Sequence, residues 1–216
     1  MNVILKLLFP PKCMLCGMPL RENEEICGDC RQKVLLNTAP PRMEKGAFFE
    51  KAAAGLWYET HVRNAVHGLK YREKQNYARP LARVMTYAYQ HKIGEECDLI
   101  AFVPTNPSTL RKRGYDQAQL LAEALSEMLD IPWVQALEKT RETQPMHGLK
   151  PDARRANVLG AYRVCCQADL LRGKRVLLVD DILTTGSTLS ECARMLKAAG
   201  TLRVYGLCAA ATRKTS

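Results

Sequence analysis

The feature that most constrains the fold is a segment near the carboxyl end of the chain. In this segment an apolar run precedes two carboxylates and a turn of hydroxyl residues and glycine. Residues 176–179 read Val-Leu-Leu-Val, the acids are Asp180 and Asp181, and residues 184–188 read Thr-Thr-Gly-Ser-Thr. A short, continuous apolar run is typical of a strand buried on both faces of a parallel sheet. The segment therefore predicts an α/β sheet with a ligand crevice where this strand ends.

The turn after the acids has the residue types of an anion-binding loop. Gly186 lets the backbone approach a ligand closely, and the free N–H groups and positive dipole end of a following helix attract phosphate. Thr188 and Glu191 form a Thr-x-x-Glu pattern, which predicts a capping box and a helix that begins just past Ser187. We therefore expect a phosphate group at this turn.

The adjacent acids need a partner of their own, because carboxylates beside a phosphate would repel it. Sugar hydroxyls, or a Mg²⁺ ion that bridges to them, would provide that partner. The strand, the acidic pair and the phosphate turn together predict a site for a ribose 5-phosphate. The alternative is an ordinary strand-to-helix turn in which Asp180 and Asp181 are solvated.

Apolar and amphipathic segments alternate along most of the chain, which is the pattern of a parallel sheet flanked by helices. The predicted strands are 52–58, 99–103, 176–179 and 202–210, and the predicted helices are 61–71, 77–91, 115–129 and 188–199.

Four cysteines near the amino terminus form two C-x2-C pairs, Cys13 with Cys16 and Cys27 with Cys30. Two facing knuckles give the tetrahedron of thiolates that Zn²⁺ favours, so the pattern predicts a closed structural zinc site. Iron in a rubredoxin-like site and cysteines without metal are the alternatives. Four sulfur ligands leave no position for a catalytic water, so we assign this module to stability or partner contact.

The predicted domain organisation is a zinc module at residues 1–37, a Pro-containing linker at 38–46 and a main domain at 47–216. The other cysteines are expected to be small buried apolar residues. They are Cys97, Cys165, Cys166, Cys192 and Cys208.

The charge balance favours phosphate-rich ligands or nucleic acid, since 32 Lys and Arg against 22 Asp and Glu give a net charge of +10. Hydrophobic residues make up 47% and charged residues 25%, which excludes disordered and fibrous classes. No apolar stretch approaches the ~18 to 20 residues needed to span a bilayer, and the amino terminus is a poor signal peptide. We therefore expect a cytoplasmic protein.

A second anion site is predicted where Arg111, Lys112 and Arg113 follow the strand at 99–103 in a basic loop. Three consecutive cations just before a helix could neutralise pyrophosphate, and a solvated basic turn is the alternative. The polar segment 140–157 is expected to be either a mobile lid over the site or a plain surface loop.

The segment 176–188 resembles, over its whole length, the phosphoribosyl pyrophosphate (PRPP) motif of type I phosphoribosyltransferases. The resemblance implies that Asp180 and Asp181 contact the ribose hydroxyls and that Mg²⁺ accompanies PRPP. Purine-salvage members carry an Asp where this chain has Thr184, so hypoxanthine or guanine salvage is not expected. The residues implied to hold the 5′-phosphate are Thr184, Thr185, Gly186, Ser187 and Thr188.

Nearly the whole chain resembles the ComF family, whose members join a four-cysteine finger to a phosphoribosyltransferase-like domain. Thr109 and Met146 depart from the family, which often has Arg and Gln there, and Asp116 stands where it often has Asn. The resemblance is carried by Val-Pro at 103–104, Arg-Gly-Tyr-Asp-Gln-Ala at 113–118, Leu-Lys-Tyr at 69–71, Arg141, Thr143, Leu149, Arg154, Asn157 and Gly-Ala-Tyr at 160–162.

This resemblance implies two classes of function. An active enzyme would displace pyrophosphate from C1 of PRPP for an acceptor that the sequence does not identify. Its catalytic residues would be Asp180, Asp181 and Lys70, and the pyrophosphate would lie against the cations at 111–113. The other class is DNA uptake in competence, with single-stranded DNA and a DNA-uptake helicase as implied partners.

A basic and aromatic stretch at residues 61–92 fits single-stranded DNA, because cations can follow the backbone while aromatic rings stack on bases. A pair of amphipathic helices with a solvated basic face is the alternative. The cations are Arg63, Lys70, Arg72, Lys74, Arg79, Arg83 and Lys92, and the aromatics are Tyr71, Tyr77, Tyr87 and Tyr89.

Overall fold

The computed structural model describes residues 12–21, 24, 26–33, 36–43, 46–69, 72–144 and 151–213. The strands of these residues are β1 (Lys51–Trp57), β2 (Leu99–Phe102), β3 (Trp133–Val134), β4 (Leu137–Lys139), β5 (Tyr162–Val164), β6 (Arg175–Leu183) and β7 (Arg203–Ala211). The α-helices are α1 (Gly28–Lys33), α2 (Thr60–Gly68), α3 (Ala78–Ala88), α4 (Pro107–Arg113), α5 (Gln117–Leu129), α6 (Pro151–Val158) and α7 (Ser187–Ala198). Short 3-10 turns span Arg72–Tyr77 and Ala168–Leu170, and a π-helical turn spans Tyr89–Ile93.

Five strands form one parallel sheet in the order β1-β7-β6-β2-β3, and β4 and β5 form a separate antiparallel hairpin. The central strand is β6, whose apolar run at 176–179 is buried, as its composition predicted. The predicted parallel sheet flanked by helices is confirmed. Within the described residues, no helix combines the length and the apolar character that a bilayer crossing requires.

Each face of the sheet carries its own apolar core. Leu177 and Val179 of β6 share one core with α2, α3 and α5, whereas Val176 and Leu178 share the other with α7 and the β4–β5 hairpin. Successive strand residues point to opposite faces, so this alternation fixes the side to which each residue of β6 is directed. It follows that α5 and α7 lie on opposite sides of the sheet.

The central strand is longer than the apolar run predicted. The prediction placed it at 176–179, whereas β6 continues through both acids to Leu183, because β7 pairs with it as far as that residue. β2 pairs with β6 only up to Val179. The acids therefore lie past the end of β2, with β7 beside them on the other side.

The N-terminal module packs directly against the main domain. Cys13 and Leu15 belong to the same core as α2 and α3. Farther along, in the segment predicted to be a linker, Arg42 forms an antiparallel bridge with Ala52 of β1. The connection between the two predicted domains is thus attached to the edge strand of the sheet.

The remaining cysteines differ in exposure. Cys192 and Cys208 are buried, as predicted, and Cys97 and Cys166 are partly buried. Cys165 is exposed, so the prediction of a buried thiol is wrong there. Cys165 follows directly after β5. This strand belongs to the hairpin, which is outside the main sheet, and it also carries an exposed residue.

Asp116 joins the exit of β2 to the start of α5. Its Oδ1 accepts hydrogen bonds from the N–H groups of Ala118 at 2.9 Å and Gln119 at 3.4 Å, and its Oδ2 accepts from the Thr105 N–H at 2.6 Å. Burial raises the pKa of this carboxyl, although the three N–H bonds oppose the shift. The side chain is therefore both a helix cap and a clamp on the loop after β2.

We expect Asp116→Ala to lower the free energy of unfolding by about 1 to 3 kcal/mol, because it removes a helix cap and leaves a buried N–H group unpaired. Asp116→Asn keeps one acceptor oxygen and should lose less. Urea unfolding followed by circular dichroism measures both. An Asp116→Ala variant as stable as the unaltered chain would contradict the role of this side chain as a cap.

Candidate functional site

The helices that follow the adjacent strands β2 and β6 leave toward opposite faces of the sheet, so the carboxyl ends of these strands form a topological switch point, which we call the crevice. β2 leads into α4 and α5, and α5 packs on one face, whereas β6 leads into α7 on the other face. Open α/β sheets bind ligands at such a switch point. The acidic pair, the turn at residues 184–188, which we call the glycine turn, and the basic segment at 111–113 all belong to connections that begin at this edge.

The two acids point to opposite sides of β6, as neighbours on a strand do. On the side of α7 and the hairpin, the charge of Asp180 adds to the burial that raises the pKa values of Tyr162 and Cys192. On the side of α2, the charge of Asp181 adds to the burial that raises the pKa of Tyr58. The two carboxylates therefore lie on the two sides of the end of β6.

The pKa of Asp180 is raised well above its usual value. Burial is the main cause, and the carboxylates of Asp181 and Asp116 add to it, although the Asp181 N–H group opposes the shift by donating to Asp180 Oδ1 at 2.8 Å. A cation or hydroxyl donors would stabilise the charged form. Carboxylate oxygens are the ligands that Mg²⁺ prefers, so the acidic pair fits this ion.

The turn after β6 has the geometry of an anion cradle. Gly186 has a φ of 76°, which favours glycine, and it is the residue directly before α7. The hydroxyl oxygens of Thr185 and Ser187 lie 2.8 Å apart. Because the first N–H groups of a helix have no intrahelical partners, the turn presents donors at the positive end of the helix dipole.

The predicted capping box between Thr188 and Glu191 is wrong. α7 begins at Ser187, and Glu191 is instead buried, accepting hydrogen bonds from the Gly160 N–H at 2.8 Å and from Arg194. Burial alone would raise the pKa of Glu191, but these bonds hold it below its usual value. The side chain connects α7 to the turn before β5.

Arg42 supports the glycine turn from a distant part of the sequence. Its guanidinium donates to the carbonyl oxygens of Thr184 and Thr212 and so ties the end of β6 to the end of β7. Sequence reasoning missed this residue, because no motif marks it and its segment was interpreted as a linker. The contact arises because that segment runs along β1.

The prediction of a basic loop at residues 111–113 is wrong. The last turn of α4 contains these residues, which are Arg111, Lys112 and Arg113. Cations are favoured there by the negative end of the helix dipole, and Gly114, with a φ of 81°, ends the helix. Arg113 also donates to Gln117 Oε1. The three residues belong to the connection that begins at the end of β2.

Several predicted positions lie outside the described residues, namely Lys70, Tyr71, Met146, Leu149 and the middle of the predicted lid at 145–150. The residue before Lys70 is held in place, since the Tyr115 hydroxyl donates to the Leu69 carbonyl oxygen at 2.6 Å. This bond attaches the end of α2 to the segment between α4 and α5.

Sequence reasoning also missed a lysine of the hairpin. Lys139 of β4 donates to Thr143 Oγ1 at 2.8 Å, and its Nζ lies 5.4 Å from the ring centroid of Tyr162. Burial lowers the pKa of Lys139, and the negative charge of Asp180 opposes that shift. The pairing of β4 with β5, which no local pattern indicates, brings this cation to the acidic side of the crevice.

The cysteines of the N-terminal module come together as predicted. The sulfur atoms of Cys13, Cys16, Cys27 and Cys30 all lie within 4.8 Å of one another. Burial opposes ionisation of Cys13, but backbone N–H bonds lower its pKa to about 7, whereas burial and the neighbouring sulfurs raise the pKa of Cys30. Four thiolates this close need a cation, so the donor set fits Zn²⁺.

We expect the purified chain to carry about one zinc ion, bound by these four sulfurs. Cys30→Ser should lose the metal and destabilise the module, because one buried ligand is gone. Cys165→Ser, which alters an exposed thiol, should keep it. Elemental analysis of zinc per chain tests this, and unchanged zinc in Cys30→Ser would contradict the site.

Two protein-family models match the chain: a double zinc ribbon domain at residues 4–44 and a phosphoribosyl transferase domain at residues 111–215. The first model is named for two ribbons, but residues 4–44 hold four cysteines, enough for one four-sulfur site. Among solved structures, an adenine phosphoribosyltransferase from Thermoanaerobacter pseudethanolicus is 19% identical, with 82% of this chain and 84% of that chain covered and a TM-score of 0.40.

Two curated relatives match over most of their length. The DNA utilization protein YhgH of Escherichia coli O157:H7 is 30% identical, with 91% of this chain and 83% of that protein covered. Competence protein F of Haemophilus influenzae is 30% identical, with 91% and 84% covered. Together with the zinc ribbon and the phosphoribosyltransferase-type sheet, this identity over nearly the whole chain shows that it belongs to the ComF family.

Proposed function

We propose that the crevice between β2 and β6 binds PRPP, or a related ribose 5-phosphate, together with Mg²⁺. The observation that carries this proposal is the placement of Asp180 and Asp181 on the two sides of the end of β6, with the glycine turn and the start of α7 immediately after them. No other part of the described chain combines paired carboxylates with a helix start at a strand end.

The two parts of this connection suit the two polar ends of a phosphorylated pentose. The turn around Gly186 offers N–H donors and the positive end of a helix dipole, which suit the 5′-phosphate. The carboxylates accept hydrogen bonds from ribose hydroxyls, and a bound Mg²⁺ would neutralise their charge and that of the pyrophosphate. This division explains why acids and an anion cradle can occur side by side.

The same arrangement supports transfer at C1 of the bound sugar. When the bond between C1 and pyrophosphate breaks, negative charge develops on the leaving group and positive charge on the ribose, so the protein mainly positions and stabilises charge. We assign the pyrophosphate to Arg111, Lys112 and Arg113 at the end of α4, and to Lys70. The names of two relatives refer to DNA utilization and competence, so we assign this chemistry to the handling of DNA taken up by the cell.

We expect Asp180→Asn and Asp181→Asn each to weaken Mg²⁺-dependent PRPP binding by about tenfold or more, because each removes a negative charge from the cation site. Asp180→Asn should remain folded, since the amide has nearly the size and shape of the acid and carries no charge whose burial is unfavourable. Isothermal titration calorimetry with PRPP and Mg²⁺ is the measurement.

Asp169→Asn is the matched control, because that carboxylate is 87% exposed and lies before the amino end of β6. It should bind PRPP as the unaltered chain does. Retention of PRPP binding in both crevice variants would reject the proposed site.

A second function, binding of single-stranded DNA, is favoured by the outer face of α3 and the turn after it. Arg79, Arg83, Tyr87 and His91 are four residues apart, and all four are exposed. The Tyr87 and His91 rings stack with centroids 4.0 Å apart, and Arg79 pairs with Glu127 at 3.2 Å. We call these four residues the α3 stripe. Cations and aromatic rings along one face suit a backbone and its bases.

Other members of the basic and aromatic stretch are placed in the interior. Tyr77 is buried, the Tyr89 hydroxyl donates to the Glu95 carbonyl oxygen at 2.7 Å, and Lys92 Nζ donates to the carbonyl oxygens of Asn37 and Ala54. These side chains stabilise the fold, so the α3 stripe is the part of the stretch that we assign to DNA.

The double variant Arg83→Ala/Tyr87→Ala should bind oligothymidylate about tenfold more weakly, and the slope of log affinity against log salt should fall by about 1. Arg172→Ala, which removes a 74% exposed guanidinium before the amino end of β6, is the control for a lost charge. Fluorescence anisotropy over a salt series measures these values. Absent or salt-independent binding by the unaltered chain would reject this function.

A further inference from the structure

A cavity of about 180 Å³ continues from the glycine turn along one side of α7. Ser187 and Arg194 lie on the α7 wall, Arg155 and Leu159 lie at the end of α6 opposite, and Phe48 closes the third side. The cavity therefore begins at the proposed position of the 5′-phosphate and extends away from the acidic pair.

The charges along this cavity favour a phosphate group. Among the described residues that line it, Glu191 is the one carboxylate, and it is neutralised by Arg194, whose Nε and Nη2 donate to it at 2.9 and 2.8 Å. A guanidinium has five N–H donors, so this pair leaves donors of Arg194 for a ligand. Arg155 is exposed and adds a further positive charge on the opposite wall.

Apolar surface lies beside these cations. Phe48 is 43% exposed and Leu159 is 62% exposed, although both line the cavity. The Phe48 N–H donates to Ser190 Oγ at 3.2 Å, which holds this wall against α7. An exposed aromatic ring next to guanidinium groups is the combination that stacks a base and binds its phosphate.

The acidic pair sets a condition on any nucleic-acid strand that enters the crevice. Asp180 and Asp181 need free sugar hydroxyls as donors, but within a nucleic-acid strand the 3′ oxygen is esterified. Only the 3′-terminal nucleotide offers a free 3′ hydroxyl, and the strand then leaves through its 5′-phosphate. The cavity along α7 starts where that phosphate would lie.

We infer that the crevice takes the 3′ terminus of a single nucleic-acid strand and that the cavity along α7 holds the preceding nucleotide. Arg155 and Arg194 bind the phosphate of that nucleotide, and Phe48 stacks on its base. This inference rests on the proposed function, because it uses the same positions for the sugar and its 5′-phosphate. The crevice would bind the 3′ end of a nucleic-acid strand, whereas the α3 stripe would bind nucleotides within the strand.

The test compares short oligothymidylates that end in a 3′ hydroxyl or a 3′ phosphate, with ribose 5-phosphate as a third ligand, in the presence of Mg²⁺. Binding to the full chain is measured by calorimetry. The 3′ hydroxyl form should bind about tenfold more tightly, because a terminal phosphate removes the donor and repels the acids. Arg155→Ala should weaken binding of the 3′ hydroxyl form by about tenfold and leave ribose 5-phosphate unchanged.

Arg172→Ala is the matched control and should change none of the three affinities, since its exposed guanidinium lies before the amino end of β6. Equal affinity for the two oligonucleotides, or equal effects of Arg155→Ala and Arg172→Ala, would overturn the inference. If ribose 5-phosphate binds but the two oligonucleotides bind equally, the inference is rejected and the proposed function is retained. Discrimination without binding of ribose 5-phosphate or PRPP would instead reject the proposed function and keep the strand-end site.

Discussion

The pairing of β6 with β7 beyond the point where β2 ends is the constraint on which the crevice depends. Because β7 continues beside β6 to Leu183, the two acids are held in extended backbone and directed to opposite sides of the strand. Because β2 ends at Phe102, which pairs with Val179 of β6, the other side of this strand end opens toward the exit of β2 and α4. Because α5 and α7 pack on opposite faces of the sheet, this opening lies at a topological switch point, where open α/β sheets bind ligands.

The N-terminal module stabilises this arrangement through more than its metal site. Leu15 packs in the core that α2 and α3 share with one face of the sheet. The chain that follows bridges β1, and Arg42 of that chain bonds to the carbonyl oxygens at the ends of β6 and β7. Loss of zinc is therefore expected to affect the glycine turn, because the same segment connects both.

Much of the site could be predicted from the sequence, because its main parts are contiguous. Asp180, Asp181 and Gly186 belong to one strand-to-helix connection, so local residue types predicted an acidic pair next to an anion turn. The capping box failed because Glu191 found a buried partner in Arg194 and in the Gly160 N–H, and a tertiary contact overrode the local pattern. No sequence motif includes Lys139 or Arg42, so local patterns placed neither residue at the crevice.

By itself, the sequence determined the parts whose chemistry is local: two cysteine knuckles with the spacing of a zinc site, a buried central strand, and the order of acids, turn and helix. Those parts are set by spacing and residue type, which neighbouring residues impose on one another. Tertiary structure alone decided which side of β6 each acid faces, where β2 ends, and that Arg155 and Phe48 meet at one cavity. These depend on pairing and packing between segments far apart in the chain, which no local pattern encodes.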